Sequence, residues 1–196
     1  MFVYTVDEEI SLKLIEMKDA SRIFQLTNRS RPYLRNWLPW LDQTRKIGDT
    51  EAFIQHALKG LAENKSMTTM ILLNGQAVGV ASYNSLDWAN KIAYIGYWLG
   101  EDYQGKGIMT KAAGALTDYA FQELGMNKVE IRAAVENKRS RRIPERLGFV
   151  EEGTIRQAEW LYDHYVDHVV YGLLKDEWKK RKSKKGYAHK RGEERS

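Results

Sequence analysis

A turn that could bind an anion lies near the middle of the chain. An apolar run, residues 92–99, precedes it, and an amphipathic segment begins at residue 108. Glycine allows the backbone to approach a phosphate closely, and the amides at the start of a helix favour a negative charge. The sequence therefore predicts a pyrophosphate site made of backbone amides, in the segment Gln104, Gly105, Lys106, Gly107, Ile108 and Met109.

Two familiar phosphate-binding motifs do not fit this turn. A P-loop reads Gly-x-x-x-x-Gly-Lys-Ser/Thr, and the chain has no such segment. A dinucleotide-binding fold places Gly-x-Gly-x-x-Gly near the start of a parallel repeat, whereas this turn follows the fourth predicted strand, after an antiparallel hairpin. On its residues alone, a turn with a purely structural role is the remaining alternative.

A second motif begins at Asn137, 33 residues after the start of the turn. Ser140 follows three residues later, and a short predicted helix ends at Gly148-Phe149. In this order, the two motifs resemble the GNAT superfamily of N-acetyltransferases. That superfamily carries Gln/Arg-x-x-Gly-x-Gly/Ala after its fourth strand and Asn-x-x-Ser/Ala before a short helix ending in Gly-Phe. The resemblance extends over residues 10–175.

Three further segments resemble the RimJ/RimL-type subgroup, whose members acetylate the N-termini of ribosomal proteins. They are the aromatic segment 33–40, residues 153–159 and residues 167–171. The resemblance implies transfer of an acetyl group from acetyl-CoA to an amine, with the N-terminal α-amino group of a ribosomal protein as the favoured acceptor. A small amine (a polyamine, amino sugar or amino-acid derivative) is the alternative acceptor. A non-catalytic module that binds acetyl-CoA is the alternative outside the enzymes.

The resemblance also implies which residues bind acetyl-CoA. The amides of Gly105, Gly107 and Met109 would hold the pyrophosphate, and the strands that diverge after Leu99 would bind the pantetheine arm through backbone hydrogen bonds. Asn137 would orient that arm or a bound water, with a structural turn as the alternative. Met109 departs from the Gly or Ala of the family motif, but only its amide is needed there.

Acetyl transfer to an amine requires a base for the ammonium, stabilisation of the oxyanion and a proton for the departing thiolate. The chain has no cysteine, so direct attack in a ternary complex is favoured over an acyl-enzyme. The motif implies that Ser140 protonates the thiolate, although serine is also a common helix N-cap. Tyr97, in the strand before the turn, is a lesser candidate for the acid.

Several alternatives exist for the base. Many members of the superfamily use a glutamate on the fourth strand, but residues 92–99 contain no carboxylate. The resemblance to the RimJ/RimL-type subgroup therefore implies Glu159, with Glu130 as the second choice. A water relay to backbone carbonyls needs no side-chain base. In that case Glu159 would be an exposed carboxylate without a catalytic role.

Aromatic residues in loops can line a groove for the acceptor. We expect Arg35, Trp37, Trp40, Trp160 and Tyr162 to bind the substrate, with Arg35 able to meet an acidic acceptor. A tryptophan-rich core or a dimer contact explains the same residues equally well, and the aromatics lead us to expect a homo-oligomer. His164 and His168 lack a third ligand at a suitable spacing, so no metal site is expected.

The elements that must position these residues predict a single α/β domain. Their order is β-α-α-β-β-β-α-β-α-β-β, which gives a mixed, mostly antiparallel central sheet flanked by helices. Alternating apolar residues predict a strand at 10–14, and Asn74-Gly75 predicts a hairpin turn. The other predicted strands are 67–73, 77–83, 91–99, 128–135, 149–155 and 165–174, and the predicted helices begin at Asp19 and cover 49–64, 109–124 and 140–147.

Charge divides the 196 residues into two parts. Residues 179–196 carry nine cations and two anions, or +7, and residues 1–178 carry the remaining 22 cations and 24 anions, or −2. The acetyltransferase domain, 1–178, is therefore not a basic nucleic-acid-binding surface. The tail, 179–196, is expected to be flexible, with contact to ribosomal RNA as the alternative.

Neither cysteine chemistry nor a membrane segment is expected in this chain. The absence of cysteine excludes disulfides and zinc–thiolate sites, and it is compatible with a reducing cytoplasm. No apolar run approaches the roughly 20 residues that a membrane helix needs. Residues 1–9 include acidic residues and lack an apolar centre, so no signal peptide and no membrane association are expected.

Overall fold

Residues 3–183 are described by the computed structural model, and they form one eight-stranded sheet. The strands are β1 (Val3–Thr5), β2 (Ile10–Leu14), β3 (Met67–Leu73), β4 (Gln76–Asp87), β5 (Ile92–Leu99), β6 (Lys128–Ala134), β7 (Val150–Leu161) and β8 (His164–Leu174). The helices are α1 (Ala20–Arg29), α2 (Arg31–Leu34), α3 (Ile47–Ala62), α4 (Ile108–Gln122), α5 (Lys138–Leu147) and α6 (175–183). The spatial order of the strands is β1-β2-β3-β4-β5-β6-β8-β7.

The predicted α/β architecture is confirmed, and three elements were missed. β1 has three exposed residues, α2 is a single turn, and α6 follows β8 directly. None of these carries a hydrophobic period long enough to detect. β7 reaches Leu161 rather than residue 155, because two register shifts interrupt its pattern.

The sheet is antiparallel except between β5 and β6, and these two strands separate. Their parallel pairing runs from Ile92↔Lys128 to Ile95↔Ile131 and then stops. Residues 96–99 remain paired with β4, whereas residues 132–134 pair with β8. The sheet therefore opens in its middle, at the C-terminal ends of two parallel strands.

Helices cover both faces of the sheet. The larger core, on the face of α4, contains Tyr83, whose hydroxyl donates to the Leu116 carbonyl. The smaller core joins α1 and α3 to β3. At its edge the buried Lys13 ammonium pairs with Asp19 and with Glu16. Asp19 was expected to cap α1, but its carboxylate binds Lys13 and the Glu16 amide instead.

The folded body extends beyond the predicted boundary at residue 178. Trp178 packs on Phe121 with ring centroids 5.3 Å apart, and its Nε1 donates to Asp118 at 2.6 Å. Lys182 pairs with the second Asp118 oxygen at 2.6 Å, and Arg181 donates to the Leu147 carbonyl at 2.6 Å. The first basic residues after 178 thus belong to α6. The rest of the predicted tail, 184–196, lies outside the described residues.

Candidate active site

The glycine turn has the geometry of an anion site. Gly105 and Gly107 adopt φ of 76° and 74°, a left-handed conformation that favours glycine. A Cβ at either position would meet no atom within 4 Å, so the space in front of the turn is open. Among the hydrogen bonds of residues 3–183, none is donated by the amides of 105–110. These amides at the start of α4 are therefore free to bind a phosphate.

A cavity of about 620 Å³ occupies the opening between β5 and β6. Its wall runs from Gln104 and Met109 along residues 96–99 to Asn137 and Ser140. The side-chain Nε2 of Gln104 donates to the Leu99 carbonyl at 3.0 Å, and this hydrogen bond joins the turn to the end of β5. The cavity therefore extends from Gln104 and Met109, at the two ends of the glycine turn, to the first turn of α5.

Ser140 stands at the third position of α5, and Asn137 is the N-cap. The Asn137 side-chain oxygen accepts a hydrogen bond from the Ser140 amide at 3.1 Å. The Ser140 hydroxyl makes no hydrogen bond within the part of the chain that the structure describes. The capping alternative considered for Ser140 therefore applies to Asn137, and the serine hydroxyl is free at the cavity wall.

Tyr97, on β5, contacts the backbone of Ser140. Its hydroxyl donates to the Ser140 carbonyl at 3.1 Å. Burial raises the pKa of Tyr97 well above the ordinary tyrosine value, so the phenol stays protonated. This geometry supports a structural role in placing α5.

The two candidate bases differ in their surroundings. Glu159 lines the cavity, and its Oε2 lies 3.4 Å from His168 Nε2. Glu130 also lines the cavity but is buried, and its carboxylate pairs with Arg132 at 2.7 Å and with Lys128 at 3.3 Å. Glu130 thus pairs with two cations, whereas Glu159 faces only the imidazole of His168 among the ion pairs of residues 3–183.

A bulge in β7 brings Glu159 to His168. Ile155 pairs with His168 and Glu159 pairs with Val166, so residues 156–158 stand opposite Asp167 alone. Gln157 adopts a φ of 49°, and its amide donates to the Asp167 carboxylate at 2.7 Å. Sequence reasoning missed this contact. The only indication in the sequence was that both segments, 153–159 and 167–171, resemble the RimJ/RimL-type subgroup.

A second cavity of about 1050 Å³ adjoins the first. Trp37 and Ala134 line both cavities, so they mark the passage between them. The wall of the second cavity includes four carboxylates, from Asp42, Glu136, Asp163 and Asp167. This arrangement provides a route from solvent to Ser140 and Glu159 on the side away from the glycine turn.

The residues predicted to bind the acceptor fall into two groups. The second cavity is lined by Arg35, Trp37 and Tyr162, whereas neither of the two cavities is lined by Trp40 or Trp160. Trp160 is 51% exposed and stands edge-on against Tyr165, with centroids 4.8 Å apart. Trp40 packs against Trp98 at 6.2 Å.

Arg35 fastens the aromatic segment to the β7–β8 hairpin. Its guanidinium binds both oxygens of Asp42 at 2.9 and 2.8 Å and lies 4.0 Å from the Tyr162 ring. Tyr162 in turn donates to the Leu38 carbonyl at 2.5 Å. The charge expected to meet an acidic acceptor is thus paired with Asp42.

His164 and His168 contact different carboxylates. His164 pairs with Asp163 at 2.7 Å and His168 with Glu159, in different cavities. Within residues 3–183, no group of three or more His, Asp or Glu side chains is placed to hold a metal ion. No helix in the same range is long and apolar enough to span a membrane.

Comparison with known proteins gives consistent matches over nearly the whole chain. The model of the acetyltransferase (GNAT) domain matches residues 10–150. A Bacillus subtilis (strain 168) protein named "Putative ribosomal N-acetyltransferase YdaF" is 39% identical over 180 residues, or 91% of this chain and 98% of the relative. The Escherichia coli (strain K12) ribosomal-protein-serine acetyltransferase is 30% identical over 87% of this chain and 96% of its own.

Solved structures agree with these matches. RimL, a ribosomal L7/L12 α-N-protein acetyltransferase in complex with coenzyme A, superposes with a TM-score of 0.86 at 27% identity. The match covers 90% of this chain and 99% of RimL. The microcin C7 self-immunity acetyltransferase MccE, in complex with acetyl-CoA and AMP, gives 0.83 at 32% identity over 86% of this chain and 94% of MccE.

Proposed function

The chain belongs to the GNAT family of acetyltransferases and is an acetyl-CoA-dependent N-acetyltransferase, and on this premise we propose that its acceptor is the N-terminal α-amino group of a ribosomal protein. The observation that carries the proposal is the second, larger cavity, which joins the first beside Trp37. The end of a polypeptide needs a route that leaves the rest of its protein outside, whereas a pocket encloses most of a small ligand. Relatives named as ribosomal-protein acetyltransferases support the same acceptor.

The residues of the first cavity fit acetyl-CoA, which supplies the acetyl group as a thioester when bound. The unpaired amides of 105–110 suit its pyrophosphate, with Gly105, Gly107 and Met109 as the donors. The unpaired edge of residues 96–99 suits the pantetheine amides, since it offers backbone donors and acceptors. Asn137 serves this site by capping α5.

The reaction is direct attack of the amine within a ternary complex. Ser140 donates a proton to the departing sulfur, because its hydroxyl is free at the cavity wall. Glu159 supplies the carboxylate that assists proton loss from the acceptor ammonium, and it lies 3.4 Å from His168 Nε2 in the same cavity. Trp37, Arg35 and Tyr162 line the acceptor route, whereas the positions of Trp40 and Trp160 give no support for contact with the acceptor.

The test is release of free coenzyme A from acetyl-CoA with a panel of N-terminal peptides and small amines. Release with peptides, together with mass-spectrometric proof of an acetylated α-amine, is the expected result. Release with small amines but with no peptide would overturn the ribosomal proposal and leave the acetyltransferase assignment intact. Ser140→Ala should abolish most of the release, and Ser21→Ala, on the exposed side of α1, serves as the matched control.

We also propose that the basic segment after α6 contacts the ribosome, that the chain acts in the cytoplasm and that it forms a homo-oligomer. The charge of the tail supports the first of these. Truncation after Ser183 tests it, because truncation at 178 would remove Arg181 and Lys182 from α6. If the truncated chain co-sediments with ribosomes as well as the full chain does, the tail does not contribute to ribosome binding. Sedimentation velocity of the full chain tests the oligomer.

A further inference from the structure

The imidazole of His168 shares the first cavity with Glu159 and Ser140. Its Nε2 lies 3.4 Å from Glu159 Oε2, and its side chain is 18% exposed, compared with 32% for Glu159. Glu159 pairs with Val166, and side chains two residues apart on a strand share a face. Glu159 and His168 therefore project from the same face of the sheet, into the same cavity.

We propose that His168 accepts the proton that the acceptor ammonium must lose, and that Glu159 orients this imidazole and stabilises its charged form. The proposal rests on the proposed N-acetyltransferase reaction. An unperturbed imidazole takes up a proton at about pH 6.5 and an unperturbed glutamate at about pH 4.3. A general base works best when it titrates close to the working pH, so the imidazole suits the task better than the carboxylate. The Glu159 carboxylate lies within ion-pair distance of Nε2, at 3.4 Å, which leaves Nδ1 as the nitrogen available to the acceptor.

The surroundings of His168 favour this division of roles. Within residues 3–183, Glu159 is the only carboxylate within ion-pair distance of the imidazole. Asp167, the neighbour in sequence, lies on the other face of β8 and binds the Gln157 amide. Glu130 and Arg132 neutralise each other at 2.7 Å. The charged or titratable groups that share the cavity from other elements are Tyr33 on α2, Tyr94 and Tyr97 on β5, Glu130 and Arg132 on β6, Glu159 on β7 and Arg139 on α5.

The proton balance of the step is closed by two side chains. The ammonium gives one proton to Nδ1 of His168, and the charge of the resulting imidazolium is balanced by the Glu159 carboxylate, 3.4 Å from Nε2. The neutral nitrogen then forms a bond to the acetyl carbon, and the bond from that carbon to sulfur breaks. Ser140 passes a proton to the sulfur and regains one from the nitrogen. His168 returns its proton to solvent, so one proton is released for each amide formed.

The experiment compares His168→Gln, Glu159→Gln and the control His56→Gln, an exposed histidine on α3. Coenzyme A release is measured with an N-terminal peptide as a function of pH. We expect His168→Gln to lower kcat at neutral pH by about 100-fold, the range of a lost general base. Activity should recover partly at high pH, where more of the acceptor is already neutral. The KM for acetyl-CoA should not change, and His56→Gln should match the wild type.

A second readout does not depend on turnover. In the ligand-free chain, NMR follows the ring resonances of His168, assigned by their loss in His168→Gln. In Glu159→Gln these resonances should shift, because the carboxylate 3.4 Å from Nε2 is replaced by an uncharged amide. His56→Gln should leave them unchanged. If His168→Gln fails to fold, His168→Asn replaces it with the same expectation.

The outcomes separate this inference from the proposed function. Wild-type kcat and pH profile in His168→Gln would overturn the role of His168 even if peptides are acetylated. Unchanged ring resonances of His168 in Glu159→Gln would overturn the contact between the two side chains. If the wild type acetylates small amines only, the peptide proposal fails, and the same loss in His168→Gln is then required with a small amine.

Discussion

The side-chain oxygen of Asn137 accepts a hydrogen bond from the backbone amide of Ser140 at 3.1 Å. This contact caps α5 and fixes the turn on which the proposed acid stands. Tyr97 binds the carbonyl of the same serine from the other side at 3.1 Å. The position of the Ser140 hydroxyl thus depends on two contacts to its own backbone.

Removing the cap should affect both stability and turnover. Asn137→Ala should lower the free energy of unfolding by about 1 kcal/mol. It should also lower kcat, because the first turn of α5 loses its fixed position. Asn137→Asp keeps an oxygen acceptor and should retain most of both quantities. Urea unfolding and coenzyme A release measure them. If Asn137→Asp were as inactive as Asn137→Ala, the amide NH₂ and not the cap would be the important group.

The glycine turn predicts a binding defect with a matched control elsewhere in the chain. Gly107 and Gly75 have φ of 74° and 79°, and a Cβ at either would meet no atom within 4 Å. Alanine at either position should therefore cost about 1–2 kcal/mol of stability through the left-handed backbone alone. Only Gly107→Ala should also weaken the binding of acetyl-CoA. We expect its Kd to rise about tenfold, which corresponds to 1.4 kcal/mol of lost binding free energy. Calorimetric titration measures this, and equal affinity in both variants would contradict the assignment of the turn.

The ion-pair cluster around Lys13 predicts a loss of stability in acid. The ammonium groups of Lys13 and Lys18, 2.8 and 2.9 Å from Glu16 Oε2, lower the pKa of Glu16 from 4.5 to about 2. Because the folded chain favours the ionised form, this contribution is complete above about pH 4.5 and is lost as the pH falls to about 2. Glu16→Gln should be less stable than the wild type at neutral pH, and the difference should vanish over that window.

The urea midpoint measured at a series of pH values checks the Glu16 prediction. Glu51→Gln, on the exposed side of α3, is the matched control and should follow the wild type throughout. A difference between wild type and Glu16→Gln that is as large near pH 2 as at neutral pH would show that the pairing of Glu16 is not the source of the effect.

The packing of α6 predicts that Trp178 stabilises the body. Trp178→Ala removes the contact with Phe121 and the hydrogen bond to Asp118, and it should cost about 2–4 kcal/mol, somewhat less than a fully buried tryptophan. Trp88, which is 46% exposed, offers a control of the same residue type. Trp88→Ala should cost about 1 kcal/mol, the value of its hydrogen bond to the Asn64 carbonyl. Thermal unfolding measures both variants. Equal losses of stability in Trp178→Ala and Trp88→Ala would show that the packing of α6 does not stabilise the fold.

The sheet and the glycine turn could be predicted because local patterns determine them. Asn74-Gly75 forms the predicted hairpin turn, with φ of 49° and 79° in the two residues. The apolar run 92–99 forms a central strand, as the lack of a polar face indicated. In each case the side chains that carry the signal are neighbours in sequence, so spacing alone is informative.

The contact between Glu159 and His168 could not be predicted in this way. It depends on three residues of β7 that stand opposite one residue of β8, and a regular register would place Glu159 elsewhere. Similarly, Trp37 and Trp160 are both aromatic residues of irregular or edge segments, but only Trp37 meets a cavity. The end of the body was placed too early because Arg181 and Lys182 read as tail charge, whereas they bind Leu147 and Asp118.

The opening between β5 and β6 leaves the backbone edge of residues 96–99 without a neighbouring strand. A ligand that occupies it completes the sheet in the way that an added strand would, and it binds the folded chain only. When its free concentration is about 100 times its Kd, such a ligand raises the free energy of unfolding by about 2.7 kcal/mol. The chain that holds its acetyl donor should therefore unfold at a higher urea concentration than the free chain.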